Sequence, residues 1–146
     1  MKEVRVMKME QYTPEFKKIN PNGKVPAIVD GNVNLFESHA ILKYIHATRN
    51  LADHWYPKDP RARAKVDEYL DWHHNGLRLG AGGFIFRKYV SPFTGKPAPK
   101  EAIEESKVIF KRALSLMEKY WLQGDKKYLI SDQPTIADVS AACELA

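Results

Sequence analysis

The 146-residue chain predicts a small α/β segment followed by an all-helical one. Three observations carry that expectation. Strand-period alternation and a hairpin signal occur only in the first third. Residues 50–60 hold two prolines, an aromatic cluster and no apolar period. After Pro60 the apolar side chains recur every three or four positions.

Taken in order, residues 3–7, EVRVM, alternate with period 2 and predict a strand. Thr13 before Pro14 and Glu15 is a helix start, because proline fits the first helical position. Pro26–Asp30 and Val33–Phe36 are short apolar runs joined through Asp30-Gly31-Asn32, a hairpin signal. Ser38 stands where an N-cap is wanted, ahead of Ala40, Ile41, Tyr44 and Ile45 at helical spacing. Strand, short helix, hairpin and helix follow, then a linker around His54-Trp55-Tyr56.

From Pro60 to about Tyr89, Val66, Leu70, His73, Leu77, Ala81 and Phe84 form one stripe. Gly80-Ala81-Gly82-Gly83 interrupts it and predicts a kink or split, since each glycine costs about 1 kcal/mol against alanine in a helix. Past the loop SPFTGKPAP, a second long helix is expected from Lys100 to about Leu122, with Ile103, Phe110, Ala113, Leu114, Met117 and Trp121 on one face. A third starts at Thr135, with Asp138 three residues on as its capping-box partner. The expected divisions are therefore 1–48, a linker at 49–59, and 60–146.

The composition, 44% hydrophobic and 28% charged, is that of a globular chain and excludes disorder. No apolar run reaches the roughly 18 residues of a membrane span, and MKEVRVMKMEQY lacks the apolar core of a secretory signal. An intracellular chain is the expectation. The net charge of +5 is spread among acids, as in KDPRARAKVDE, without the basic stripe that nucleic acid favours. The single cysteine, Cys143, excludes an internal disulfide framework, and its apolar run Val139–Leu145 suggests a packed small hydrophobe. His73 and His74 are adjacent, about 100° apart on a helix, with no further ligand at i+4, so no metal site is expected.

Four stretches, in order and at characteristic spacing, carry a resemblance over essentially the whole chain. They are Asn20-Pro21-Asn22-Gly23-Lys24-Val25-Pro26-Ala27, Leu35-Phe36-Glu37-Ser38-His39-Ala40-Ile41, Asp71-Trp72-His73-His74 and Thr135-Ile136-Ala137-Asp138. Together they resemble cytosolic glutathione transferases, most closely the theta class in its plant form. The resemblance implies a partial thioredoxin-like N-terminal domain and a partial all-helical C-terminal domain. It implies a cytoplasmic protein, with nucleus or peroxisome as alternatives, that is homodimeric in the family and conjugates glutathione to small electrophilic or hydrophobic substrates. It also implies a further strand and helix before Met1 and several helices after Ala146. The chain is therefore expected to be truncated at both ends, marginally stable, prone to association and weakly active or inactive. A non-catalytic glutathione- or hydrophobic-ligand-binding module and a transferase-like interaction domain stand as alternatives.

Glutathione carries a carboxylate at each end, a free amine and a thiol. By resemblance Lys24 meets its glycine carboxylate and Val25 pairs with its backbone, a role that would suit a cis bond before Pro26. Glu37 meets the ammonium and Ser38 the γ-glutamyl carboxylate, at a helix N-terminus that favours anions. Gln11 and Tyr12 align with a further contact pair. On residue type alone Ser38 is an N-cap, Glu37 a dipole-compensating charge and Lys24 a solvated turn residue. Only the family pattern reverses those assignments.

The thiolate is the nucleophile. By the resemblance, the theta-class serine that stabilises it belongs to the helix expected ahead of Met1, and Ser38 is not expected to inherit that role. Arg78, in Asn75-Gly76-Leu77-Arg78, matches a theta-class arginine that reaches the sulfur and would lower its pKa. A solvent-facing helix arginine is the alternative.

Overall fold

The computed structural model describes residues 2–146. The chain divides into two compact units, the first ending at Leu51 and the second running Ala52–Ala146.

The first unit opens with two 3-10 turns, Val6–Lys8 and Glu10–Tyr12, in place of the strand expected at residues 3–7. The cause is local. The Arg5 amide and its Nε donate to the Glu10 carboxylate at 2.8 and 2.6 Å, and Met9 takes a left-handed φ of 59°. The segment is closed on itself and offers no extended edge. Helix α1 (Pro14–Lys17) starts as the sequence predicts, with Thr13 Oγ1 accepting from the Phe16 amide at 3.3 Å.

Strands β1 (Ala27–Asp30) and β2 (Val33–Phe36) form an antiparallel hairpin in the register Ala27↔Phe36 to Asp30↔Val33. Gly31, at φ +60°, takes the first central position of the two-residue turn, where a side chain would be strained. The sheet has two strands among the described residues. A two-stranded hairpin is marginal alone. Helix α2 (Ser38–Thr48) braces it. Tyr44 Oη and an Arg49 guanidinium nitrogen reach Asp30 Oδ2 at 3.0 and 2.5 Å, which holds the Asp30 carboxyl below its ordinary range.

The second unit is helical. Its first residues, 52–59, bond within it. His54 Nδ1 lies 2.7 Å from the Pro134 carbonyl, Arg63 Nε donates to the Pro57 carbonyl at 2.6 Å, and Tyr56 Oη donates to Asp67 at 3.0 Å. Helix α3 (Pro60–Asn75) has Pro60 at its first position and Asp59 Oδ2 accepting from the Ala62 amide at 2.8 Å. The break falls at Gly76, ahead of the glycine run where it is expected. Gly76 lies beneath the Trp72 indole, where a Cβ would overlap the ring, and its φ and ψ of −104° and −89° end the helix. Helix α4 (Leu77–Ile85) then runs straight through Gly80, Gly82 and Gly83. At Gly80 a Cβ would come within 2.5 Å of Phe110 Cα. Here glycine allows two helices to touch backbone to backbone and does not break the helix.

A π turn, Phe86–Val90, and a 3-10 turn, Ser91–Thr94, lead to helix α5 (Lys100–Leu116), which passes into a second π turn at Met117–Trp121. Val66, Tyr69, Leu70 and Leu77 pack with Ala113, Met117, Trp121, Ile136 and Ala137 in the buried set, and the Tyr69 ring stands edge-on to Trp121 at 5.1 Å. Helix α6 (Ile136–Leu145) carries the expected capping box. Asp138 accepts from the Thr135 amide at 2.7 Å and the Leu129 amide at 2.8 Å, and Thr135 Oγ1 accepts from the Ala137 amide at 3.2 Å. Cys143 is exposed, contrary to its expected burial. The buried face of α6 runs through Ala137, Ser140 and Ala141 and continues at Glu144, leaving Cys143 to the side. No helix is long and apolar enough to cross a membrane, and no cluster that could hold a metal ion occurs among the described residues.

Candidate glutathione site

The turn before β1 is shaped by one buried side chain. Asn20, only 1% exposed, donates from Nδ2 to the Lys24 carbonyl at 2.7 Å and accepts the Asn22 amide on Oδ1 at 2.9 Å. Both functional ends of the amide are spent on the loop, so the backbone at Lys24 is held from within. Gly23 makes the turn at φ +63°, and a Cβ there would meet the Tyr12 ring at 2.8 Å. This contact places Gln11-Tyr12 beside the same turn. Gln11 is buried, with Oε1 lacking a hydrogen-bond partner among the described residues, while Tyr12 is exposed. Sequence reasoning missed Asn20 as a positioning residue, although Asn20-Pro21-Asn22-Gly23 already spells an Asx-type turn.

Lys24 is exposed, the Val25–Pro26 peptide bond is cis, and Val25 is 45% exposed. Because Ala27 pairs with Phe36, the residues just before β1 and just after β2 emerge together at the open end of the hairpin. Lys24-Val25 and Glu37-Ser38, thirteen positions apart in sequence, are thereby brought to one end of one small sheet.

Ser38 is the first residue of α2 and Glu37 its N-cap, one position earlier than the sequence predicts. The Ser38 side chain therefore does not cap the helix. Glu37 sits at φ 74° and ψ 111°, a left-handed region costly for a side-chain-bearing residue, and makes no side-chain cap hydrogen bond. The exposed carboxylate and the start of an eleven-residue helix thus meet at a strained point of the backbone. Nothing in the local sequence signals that conformation.

Arg78 belongs to the second unit, in the first turn of α4. Its Nη1 donates to Glu144 Oε2 at 2.8 Å, and its side chain is 63% exposed. His73 Nε2 lies 3.7 Å from the same oxygen. Burial pushes the His73 imidazole down, against the raising effect of Glu144.

The N-terminal domain of glutathione S-transferase matches residues 1–47, and the C-terminal domain of glutathione S-transferase matches residues 100–145. Glutathione S-transferase T1 of Arabidopsis thaliana is 49% identical over 144 residues, 97% of this chain. The chain belongs to the glutathione S-transferase family. Human glutathione transferase theta-2, solved in complex with glutathione and an unknown ligand, superposes on 99% of this family member with a TM-score of 0.92 at 38% identity. A human theta-class transferase solved with the glutathione conjugate of 1-menaphthyl sulfate superposes on 93% at a TM-score of 0.86 and 38% identity, and 55% of that chain is covered. The expected theta-class resemblance and the fold, thioredoxin-like then helical, are both borne out. This transferase-family chain spans 59% of the length of both the T1 relative and the theta-2 structure.

Proposed function

We propose that the chain binds glutathione at the open end of the β1–β2 hairpin, as part of a theta-class transferase that conjugates the glutathione thiolate to small electrophiles. The observation that carries this reading is the hairpin register. It gathers a cation, an exposed strand-like residue, a carboxylate and a helix N-terminus at one place.

Each group answers one part of the tripeptide. Lys24 offers its ammonium to the glycine carboxylate as a point charge. Val25 offers its backbone N–H and C=O, as an edge strand does to an added peptide. Ser38 and the start of α2 suit the γ-glutamyl carboxylate, because helix N-terminal amides point outward and the dipole favours negative charge. Glu37 suits the α-ammonium. Gln11 and Tyr12, beside Gly23, border the same turn. Arg78, in the helical unit, is by family resemblance the candidate for the cation that favours thiolate over thiol. The placement is cytoplasmic and the assembly a homodimer on this reading.

Titration calorimetry with glutathione tests it. We expect binding that is lost in the Glu37→Ala, Ser38→Ala double variant, with little or no conjugation to a standard electrophile by the 146-residue chain measured beside it. Affinity that survives both substitutions overturns the assignment.

A further inference from the structure

Resting on the assigned role of Arg78, we infer that Glu144 is the positioning residue for that guanidinium, with His73 lying against the same carboxylate oxygen. Three helices supply the parts: α3 gives His73, α4 gives Arg78 and α6 gives Glu144. The Glu144 side chain is 6% exposed, yet it lies beside an Arg78 side chain that is 63% exposed. A buried carboxylate is stable only when paired, so Glu144 is committed to this partner, while the arginine keeps the outer part of its fork for something else.

The space around the pair is fitted to it. A Cβ on Gly82 would lie 3.3 Å from Glu144 Oε1 and 3.6 Å from Arg78 Cδ. A Cβ on that turn of α4 would crowd Glu144 Oε1 while making ordinary contact with Arg78. His73 is itself buried and stands 3.7 Å from Glu144 Oε2, with Tyr69 Oη 3.4 Å from its other ring nitrogen. One carboxylate oxygen therefore faces both a buried imidazole and a guanidinium, and the long arginine side chain is tied to a rigid anchor. A cation held in advance stabilises a developing thiolate more than one that must first be ordered.

Two variants with opposite expected effects on one reporter test the arrangement. Among the groups that act on His73 are His74 and Tyr69 on α3, Arg78 on α4 and Glu144 on α6. In the 146-residue chain, the His73 imidazole is titrated by NMR. Glu144→Gln removes the anion and lowers its pKa, whereas Arg78→Ala leaves the anion to His73 alone and raises it. Mere loosening of the fold would move both toward the free-histidine value. Both variants moving together, or neither moving, overturns the inference.

A second readout is the ultraviolet titration of the bound glutathione thiol. Arg78→Ala and Glu144→Gln should each raise its pKa, and the double variant should raise it no further than Arg78→Ala alone. If Arg78→Ala leaves the thiol unchanged, the role given to Arg78 fails, while the histidine titrations still decide whether Glu144 fixes the guanidinium. If Arg78→Ala moves the thiol and Glu144→Gln does not, the positioning role fails and the reading of Arg78 stands.

Discussion

Replacing Glu37 by glycine should make the protein more stable and worse at holding glutathione. At φ 74° and ψ 111° the glutamate occupies a region that costs a side-chain-bearing residue about 1–3 kcal/mol. Glycine meets no such penalty but loses about 0.5–1 kcal/mol more chain entropy on folding. The balance is a gain of roughly 1 kcal/mol, or a rise of about 2–4 °C in Tm for a chain of this size. Binding moves the other way. A hydrogen bond to a charged group contributes about 1.5–3 kcal/mol, so loss of the carboxylate should weaken glutathione by about 10- to 150-fold. Glu37→Ala separates the two effects, because it removes the carboxylate and keeps the backbone strain. It should match the glycine variant in Kd while showing no gain in Tm. Thermal unfolding by circular dichroism and calorimetric titration measure both quantities on the same samples. A glycine variant that melts lower, or that binds as tightly as the parent, refutes the reasoning.

Asn20→Ala should lose two hydrogen bonds and weaken glutathione by about 1–3 kcal/mol. Asn20→Asp should retain the Asn22 contact yet set a carboxylate against the Lys24 carbonyl, so calorimetry should find it no better than alanine. Gly80→Ala gains about 1 kcal/mol of helix propensity but forces a Cβ against Phe110 Cα, and denaturant unfolding should give a net loss of about 1–2 kcal/mol. His73 is held below its ordinary value of 6.5 by burial, so the unfolded chain binds the extra proton first as pH falls. Stability from this group is present above about pH 6.5 and declines as pH falls toward the lowered folded value. Urea unfolding at a series of pH values should show that slope, and His73→Gln should flatten it.

The parts of the fold that could be read from sequence are those settled within a few residues. Gly31 between two apolar runs dictates its hairpin, and Thr135 with Asp138 dictates the start of α6, whatever surrounds them. The alternation at residues 3–7 has the right period for a strand, but an ion pair five residues away, Arg5 with Glu10, decides otherwise. The glycines of α4 show the limit of propensity. Gly80 is there because Phe110, thirty positions on, needs the room, and the actual break at Gly76 depends on where the Trp72 ring falls.

The site divides in the same way. Lys24, Val25, Glu37 and Ser38 were visible as residue types at a recognisable spacing, but their convergence depends on the hairpin register, and the strained backbone at Glu37 has no local signature. Glu144 was invisible for the opposite reason. Its partners lie 66 and 71 positions earlier, and in a terminal apolar run a glutamate reads as a surface residue and a cysteine as a buried one. The structure reverses both, because helical phase, not composition, decides which side chain α6 turns inward.

The contact between His54 and the Pro134 carbonyl spans 80 residues and joins the opening of the helical unit to the residue just ahead of its last helix. On a ribosome extending chains at about 5–20 residues per second, roughly 4–16 s separate the synthesis of these two partners. Within that interval α3, α4 and then α5 emerge and can assemble by nearer contacts, while the segment at His54 waits without its Pro134 acceptor. Closure of the helical unit at His54 thus waits for Pro134, and the Arg78–Glu144 pair can form only once Glu144 has followed it.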